Sequence, residues 1–166
     1  MTEENINNAE KKPWFEDVSL PVLLRHARAA YGGAMRKALA EGGFDDIPGN
    51  GLYVIGGLAL NSDDHPLSQL IKELRVSKQA AGQLVDTLVN RGYLDRQMDK
   101  NDRRKLTVTL TERGRAAAEV QRQAREKVDT ELAGCVGLED ISRTRRTLAV
   151  LAHMGAEIRG DADEEP

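Results

Sequence analysis

Apolar residues recur at intervals of three and four along much of the chain, which is the period of an amphipathic α-helix. The first such stretch runs from Phe15 to Ala40, and Gly42 and Gly43 end it. A short apolar helix is predicted from about Leu52 to Leu60. Another opens at Pro66 and reaches about Leu74, because a first helical turn does not need the N–H that proline lacks.

The pattern changes after Ser77, which is a good N-cap for a helix from Lys78 to Arg91. The inward stripe of this helix is Ala80, Ala81, Leu84, Val85, Leu88 and Val89. Gly92 ends it, and two strands follow, Tyr93–Met98 and Lys105–Leu110. In the second strand Leu106, Val108 and Leu110 are expected inward, and Thr107 and Thr109 outward. Helix, turn, helix and β-hairpin in succession predict a winged helix.

Two more helices follow the hairpin. Thr111 is the predicted N-cap of a long helix, and Gly134 and Gly137 are expected to break it. Its apolar edge is Val120, Ala124, Val128 and Leu132. The last helix is predicted from Glu139 to about Ile158. Residues 1–14 are expected to form a flexible arm, and residues 160–166 a disordered acidic tail.

The predicted fold class is mainly α with a small β-hairpin wing. A winged helix-turn-helix domain occupies residues 49–110, and dimerisation helices occupy residues 15–48 and 111–159. One small winged-helix core cannot cover the apolar stripes of helices at both ends of the chain. A two-fold dimer with interleaved terminal helices is therefore favoured. The alternative is a monomeric bundle formed by the same helices.

The charge is distributed unevenly. The formal net charge is −3, yet residues 66–115 contain 11 lysine and arginine residues against 6 aspartate and glutamate residues, a local balance of +5. The remaining residues have a balance of −8. A basic segment in an acidic chain indicates a local phosphate-binding face.

Composition excludes several classes of protein. Aromatic residues make up 4% of the chain, which favours a helical core of aliphatic residues. No apolar run approaches the roughly 20 residues that span a bilayer, so no membrane association is expected. The acidic, polar start of the chain does not resemble a secretory signal. A single cysteine, Cys135, excludes an intrachain disulfide, and the expected location is the cytoplasm.

The outward face of the Lys78–Arg91 helix contains the candidate DNA-binding residues. Gln79 and Gln83 lie four positions apart and suit adenine edges in the major groove. Ser77 and Lys78 lie at the helix N-terminus, where the backbone dipole favours phosphate. Gly82 is unfavourable inside a helix unless something must approach it closely. The alternative is an ordinary solvated face.

The hairpin loop contains three consecutive cations, Arg103, Arg104 and Lys105. Asp99 and Asp102 can hold one of them, which leaves another to reach the negative potential of the minor groove. The alternative is a charged surface turn.

With the helix order, these motifs resemble the MarR family of bacterial regulators over about 50 residues. The matching positions are Gly92, Tyr93, Leu94, Asp99, Asp102, Arg103, Arg104, Leu110, Thr111 and Gly114. The resemblance implies a homodimer that binds a pseudo-palindromic operator in double-stranded DNA and usually represses, with release by a small molecule or oxidant. It implies DNA contacts from Ser77, Lys78, Gln79, Gln83 and Arg103 or Arg104. One wing arginine is expected to pair with Asp99 or Asp102 as a brace.

An effector site is expected between the dimerisation helices and the winged segment. A small aromatic or anionic effector is expected there, because aromatic and cationic residues cluster in the first helix. The candidates are Trp14, Phe15, His26, Arg28 and Tyr31, with Phe44 and Tyr53 on the other side. Structural packing of these residues is the alternative.

Other chemistry finds little support in the sequence. Cys135 has no neighbouring cluster of cations and is interpreted as a small structural hydrophobe. His26, His65 and His153 share no metal-like spacing, so neither a metal nor a cofactor is expected. No set of residues has the spacing that catalysis needs, so the chain is not expected to be an enzyme. A winged-helix module that docks an acidic protein partner is the alternative function.

Overall fold

The computed structural model describes residues 13–60, 65–66, 77–98 and 106–159. A short 3₁₀ turn at Trp14–Asp17 precedes the regular elements. In chain order these are α1 Leu20–Glu41, α2 Gly51–Leu60, β1 His65–Pro66, α3 Lys78–Asn90, β2 Leu94–Met98, β3 Leu106–Leu110, α4 Glu112–Val136 and α5 Leu138–Arg159. The fold is mostly helical with a small antiparallel hairpin, which confirms the predicted class. The wing loop, the polar arm before residue 13 and the acidic tail lie outside the described residues.

Side chains and glycines set the helix ends. The Ala80 N–H donates to the Ser77 hydroxyl at 3.2 Å, and the Gly114 N–H donates to the Thr111 hydroxyl at 3.0 Å, which confirms both predicted N-caps. Three helices are each followed by a glycine with a left-handed backbone, at Gly43, Gly92 and Gly137. The predicted break at Gly134 is wrong, because α4 continues through it to Val136. The first predicted helix is also divided, since α1 begins only at Leu20.

The sheet has three antiparallel strands in the order β1-β3-β2. The prediction of two strands missed β1, in which His65 lies opposite Val108 and Pro66 opposite Thr107. Pro66 therefore belongs to an edge strand and not to the first turn of a helix, and an edge strand tolerates the missing N–H. The rest of that predicted helix lies outside the described residues.

Burial along β3 differs from the predicted alternation. Leu106 is exposed and Thr107 is buried. Leu106 lies opposite Met98 at the wing end of the hairpin, whereas the buried residues lie toward Leu94. Leu106 is therefore on the predicted face of the strand but beyond the edge of the core. Thr107 lies on the central strand, and its hydroxyl donates to the Gln97 carbonyl at 3.4 Å, which compensates for its burial.

The hydrophobic core lies where α1, α2, α3, the hairpin and the start of α4 meet. Its largest fully buried side chains are Tyr93, Leu52, Ile55, Leu88, Leu94, Gln121, Val54, Val85 and Val108. Val120 and Ala124, which were predicted on the apolar edge of a dimerisation helix, pack against this core of the same chain. Ala80 was expected inward but is exposed in the first turn of α3.

The described chain divides into two compact units after Ala124. The second unit contains the rest of α4 and the whole of α5. None of its described side chains is buried. Its exposed large apolar residues are Leu132, Val136, Leu138, Leu148, Val150, Leu151 and Met154. No helix in the described part of the chain is both long and apolar enough to cross a membrane.

Candidate nucleic-acid interface

Helix α3 has one buried face and one exposed polar face. Ala81, Val85 and Leu88 have no exposed surface and anchor the helix in the core. The opposite stripe contains the exposed residues Gln79, Gln83, Asp86 and Asn90, at intervals of four, three and four. This spacing places the four side chains in one row along the helix. The predicted pair Gln79 and Gln83 is therefore together on an open surface.

The N-terminus of α3 is also open. Ser77 and Lys78 are both exposed, and the Ser77 hydroxyl accepts from the Ala80 N–H at the helix start. The positive end of the helix dipole and the Lys78 ammonium group thus lie at the same end of the polar row. The arrangement suits an anion such as phosphate.

Gly82 lies beside this row, and its position is spatially unconstrained. A Cβ atom added there would meet no atom of the described residues within 4 Å. Glycine costs about 1 kcal/mol relative to alanine inside a helix. The packing of this chain therefore does not explain why glycine occupies the middle of α3.

An ion pair joins α3 to the wing. The Arg96 guanidinium of β2 contacts the Asp86 carboxylate through Nη2 and Oδ1 at 2.5 Å. Arg96 lies on the same face of the hairpin as the buried Leu94, and its Nε atom is buried without a hydrogen-bond partner among the described residues. Asp86 was predicted only as an outward residue, and Arg96 was not singled out. Side chains alternate between the two faces of a strand, so the sequence places Arg96 on the same face of the hairpin as Leu94. This alternation was the signal that could have identified Arg96.

A second polar cluster lies at the C-terminal end of α3 and joins four side chains from three parts of the chain. The Tyr93 hydroxyl donates to the Asp46 carboxylate. Arg113 Nη2 donates to the same carboxylate at 3.1 Å and to the Tyr93 hydroxyl at 3.0 Å. Arg91 donates to the Asp46 carbonyl. The guanidinium of Arg113 also lies 4.5 Å from the centre of the Tyr93 ring.

This cluster shifts two pKa values. The hydrogen bond from Tyr93, and then the charge of Arg113, lower the pKa of Asp46. Burial, and then the hydrogen bond to Asp46, raise the pKa of Tyr93 to about 12. The cluster therefore holds a charged carboxylate and a neutral phenol at neutral pH. Sequence analysis missed it, because Asp46 and Tyr93 are far apart in the chain and only the fold brings them together.

The predicted wing residues lie outside the described part of the chain. These are Asp99, Asp102, Arg103 and Arg104. The strands that carry the loop are described up to Met98 and from Leu106, which face each other across the ladder.

The predicted effector residues are only partly brought together. Arg28 of α1 donates through Nε to the hydroxyl of Tyr53 in α2 at 3.1 Å, and its guanidinium lies 4.5 Å from the centre of that ring. Trp14 lies edge-on to Phe15, with 6.2 Å between ring centroids. No hydrogen bond or ring contact within the described residues joins Trp14 or His26 to Arg28.

The other aromatic candidates face the core. Tyr31 packs against it, and Phe44 lies 6.3 Å from Tyr93, between ring centroids. Cys135 is exposed, so it does not pack as a small structural hydrophobe within this chain, and that prediction is wrong. Among the described residues, no three His, Cys, Asp or Glu side chains form a group that could hold a metal ion.

The comparison with protein families matches residues 45–105 to the model described as MarR family. A relative from Bacillus subtilis, an uncharacterized HTH-type transcriptional regulator named YwhA, is 32% identical over 62 residues. The match covers 37% of this chain and 45% of the relative, so the chain spans less than half the length of the curated relative that it matches.

Solved structures share the fold over most of the chain. A probable transcriptional regulator from Pseudomonas aeruginosa has a TM-score of 0.64 at 23% identity, with 82% of this chain and 98% of that chain covered. Wild-type MarR from E. coli in its apo form has a TM-score of 0.62 at 21% identity, with 81% and 97% covered. Residues 45–105 therefore resemble the MarR family of transcriptional regulators, and the chain shares the fold of wild-type MarR from E. coli.

Proposed function

We propose that the protein is a repressor that binds a pseudo-palindromic DNA operator as a homodimer and that a small aromatic or anionic molecule releases it. The observation that carries the proposal is the exposed polar row on α3, because its opposite face is anchored in the core. A helix held in this way presents small and polar side chains rigidly, as a major groove about 12 Å wide requires.

Within the groove, Gln79 and Gln83 contact base edges. A glutamine side chain can donate through Nε2 to adenine N7 and accept at Oε1 from the adenine N6 amino group, so these residues supply sequence preference. Ser77 and Lys78 bind phosphate at the helix N-terminus and set the register of the protein on the duplex. The open space around Gly82 permits the helix backbone to approach the bases closely.

The wing contributes a second contact. Arg103 or Arg104 enters the adjacent minor groove, and Asp99 or Asp102 holds the other arginine as a brace. This part of the proposal rests on the sequence of the loop and on the position of the hairpin directly after α3. An arginine in a narrow minor groove is attracted by the negative potential there.

A second copy of the chain covers the terminal helices. The second half of α4 and the whole of α5 leave a run of large apolar side chains exposed, and the 3₁₀ turn adds Trp14 and Phe15. Exposed large apolar side chains in such number mark an interface between proteins. A two-fold dimer places two α3 helices on one face, which fits half-sites about one helical turn, or roughly 34 Å, apart.

The effector site is proposed at the Arg28–Tyr53 pair between α1 and α2, with Trp14, His26 and Tyr31 nearby in sequence. A guanidinium, a hydroxyl and an aromatic ring together suit an aromatic carboxylate. Thermal-shift measurements with a panel of phenolic acids test this. Stabilisation should be lost in Arg28→Met and kept in Arg25→Met, which removes an exposed cation of the same helix. No stabilisation of the parent by any phenolic acid would contradict the site.

Selection from a random duplex library, followed by gel shifts at about 150 mM salt, tests the DNA-binding function, because non-specific phosphate binding is weak at that salt. Tiled DNA from upstream of the protein's own gene is assayed in parallel. We expect one enriched pseudo-palindrome, bound by a dimer. Gln83→Ala should lower discrimination between operator and scrambled DNA by about 1–3 kcal/mol. Gln123→Ala, an exposed glutamine on α4, is the matched control and should leave discrimination unchanged.

Failure to enrich any sequence would contradict the proposal. Docking of an acidic protein partner by the basic segment would then be the next function to test. The place of action that we propose with this function is the cytoplasm.

A further inference from the structure

Asp86 places a negative charge in the polar row of α3 that is proposed to face DNA. It lies three positions after Gln83 and four before Asn90, and all three residues are exposed. A carboxylate directed at a phosphate-lined groove is repelled, and this repulsion weakens every DNA complex regardless of sequence. A DNA-facing helix therefore needs a reason to keep an aspartate at this position.

Arg96 supplies the opposite charge from the wing. Its Nη2 lies 2.5 Å from Asp86 Oδ1, and the two side chains are 31% and 57% exposed. An ion pair as open as this one contributes little to folding stability. Within the described part of the chain, the buried Nε of Arg96 has no hydrogen-bond partner, which is unfavourable. Stability therefore does not explain the arginine.

Geometry indicates a different role. Arg96 lies on β2 opposite Val108, which has no exposed surface, so the base of its side chain is held by the central strand. Asp86 lies on the third turn of α3, whose buried face is equally fixed. The ion pair thus bridges the two elements that are proposed to enter neighbouring grooves.

We propose that Arg96 is a positioning residue that neutralises Asp86 and fixes the wing relative to the recognition helix α3. The inference rests on the proposed DNA-binding function. The pair carries no net charge, so it adds no phosphate contact while it is intact. Removing Arg96 should weaken DNA binding, because the negative charge of Asp86 is then uncompensated. Removing Asp86 should strengthen it, because the positive charge of Arg96 is then free to attract phosphate.

A double-mutant cycle tests the inference. The parent, Asp86→Asn, Arg96→Gln and the double variant are compared by binding to the duplex that the parent selects and to a scrambled duplex, across a range of salt. Arg96→Gln should weaken both complexes by about tenfold, because Asp86 is left uncompensated. Asp86→Asn frees the guanidinium and should steepen the salt dependence by about 0.9 in the logarithmic slope.

The double variant decides the question. It should recover most of the affinity lost in Arg96→Gln, since neither charge remains, but it should discriminate operator from scrambled DNA less well than the parent, because the bridge is gone. Parent-like discrimination in the double variant would overturn the inference, because compensation of charge alone restores affinity without any bridge. So would an unchanged salt slope in Asp86→Asn.

Two comparisons separate this inference from simpler outcomes. Arg122→Gln removes an arginine from an exposed pair with Glu119 on α4 and should leave DNA binding unchanged. Thermal midpoints of all variants are measured, and an affinity loss that only follows a stability loss would overturn the positioning role. If the parent selects no duplex at all, the proposed function fails and this inference fails with it. If the parent binds but the double variant discriminates operator from scrambled DNA as well as the parent does, only this inference fails.

Discussion

The two compact units of the chain use the same kind of helix in opposite ways. In the first unit, Val85, Leu88 and Ile55 have no exposed surface and form one continuous core. In the second unit, Leu148, Leu151 and Met154 repeat the same helical spacing and remain exposed. The difference is not one of amphipathicity, which both regions have, but of what is available to cover the apolar stripe.

That difference separates two sources of stability. The described part of the first unit contains a sheet, three complete helices and the start of α4, so each apolar stripe there meets another within the chain. The second unit has only the end of α4 and α5, and two helices cannot enclose each other completely. Its apolar surface is therefore exposed and can stabilise an assembly, whereas the apolar surface of the first unit is buried within the fold.

The largest effect is expected when the exposed stripe receives a charge. Leu151→Glu should convert the dimer to a monomer, because a carboxylate buried at an apolar interface without a partner is strongly unfavourable. Loss of the second half-site contact should then reduce affinity for a pseudo-palindromic duplex by roughly 10²-fold to 10⁴-fold. Light scattering after size exclusion and gel shifts measure the two effects.

The matched control introduces the same residue on the opposite face of α5. Ser142→Glu should remain dimeric and bind DNA like the parent. A monomeric parent, or a dimer that persists in Leu151→Glu, would contradict the proposed interface.

Core and stripe should respond differently to the same truncation. Leu88→Ala should lower the free energy of unfolding by about 2–5 kcal/mol, through lost burial and the cavity that remains. In the monomeric Leu151→Glu background, Leu148→Ala should change it by no more than about 0.5 kcal/mol, since that side chain is exposed there. Urea unfolding measures both. Equal losses would show that α5 has a core of its own.

The polar cluster at the end of α3 should show a pH signature. The phenol of Tyr93 ionises near pH 10 in the unfolded chain and at about 12 in the folded one. Its contribution to stability is therefore complete below pH 10 and is lost as the pH rises to about 12. Tyr93→Phe should cost about 1–2 kcal/mol at neutral pH, because Asp46 loses a donor. Urea titrations at several pH values measure this. Between pH 10 and about 12, the free energy of unfolding should decline less in Tyr93→Phe than in the parent.

Asp46 in the same cluster should act at the other end of the pH range. Its pKa is lowered in the folded state, so its stabilisation is present above the unfolded pKa of about 4 and is lost as the pH falls through the folded value. Asp46→Asn should flatten the acid side of the stability curve. An unchanged acid limb would contradict the assignment.

The smallest effect on stability is expected at Gly82, and it should have the opposite sign from the others. Gly82→Ala should raise the free energy of unfolding by about 0.5–1 kcal/mol, because the added methyl group meets nothing and helix propensity improves. It should also weaken DNA binding if the groove lies against this position. Improved stability with unchanged affinity would show that the bases do not approach Gly82 closely.

Local signals predicted the fold well. Ser77 and Thr111 cap helices as their side chains require, and Gly43 and Gly137 end helices with left-handed backbones. These features depend on a few neighbouring residues, so they can be derived without knowledge of the rest of the chain. The errors occurred where partners are distant. Pro66 joins an edge strand, and Leu106 is exposed, because β3 is a central strand whose far end passes the core.

The sequence by itself determined the two hairpin strands, the cap residues and the polar row of α3, since each follows from the spacing of residues or from side chains close in the chain. Only the tertiary structure decided which cations and carboxylates meet. Asp46 with Arg113, and Asp86 with Arg96, are joined by the crossing of elements and not by any sequence pattern. Electrostatic partnerships depend on distances of a few ångströms in space, and helical periodicity does not specify those distances between separate elements.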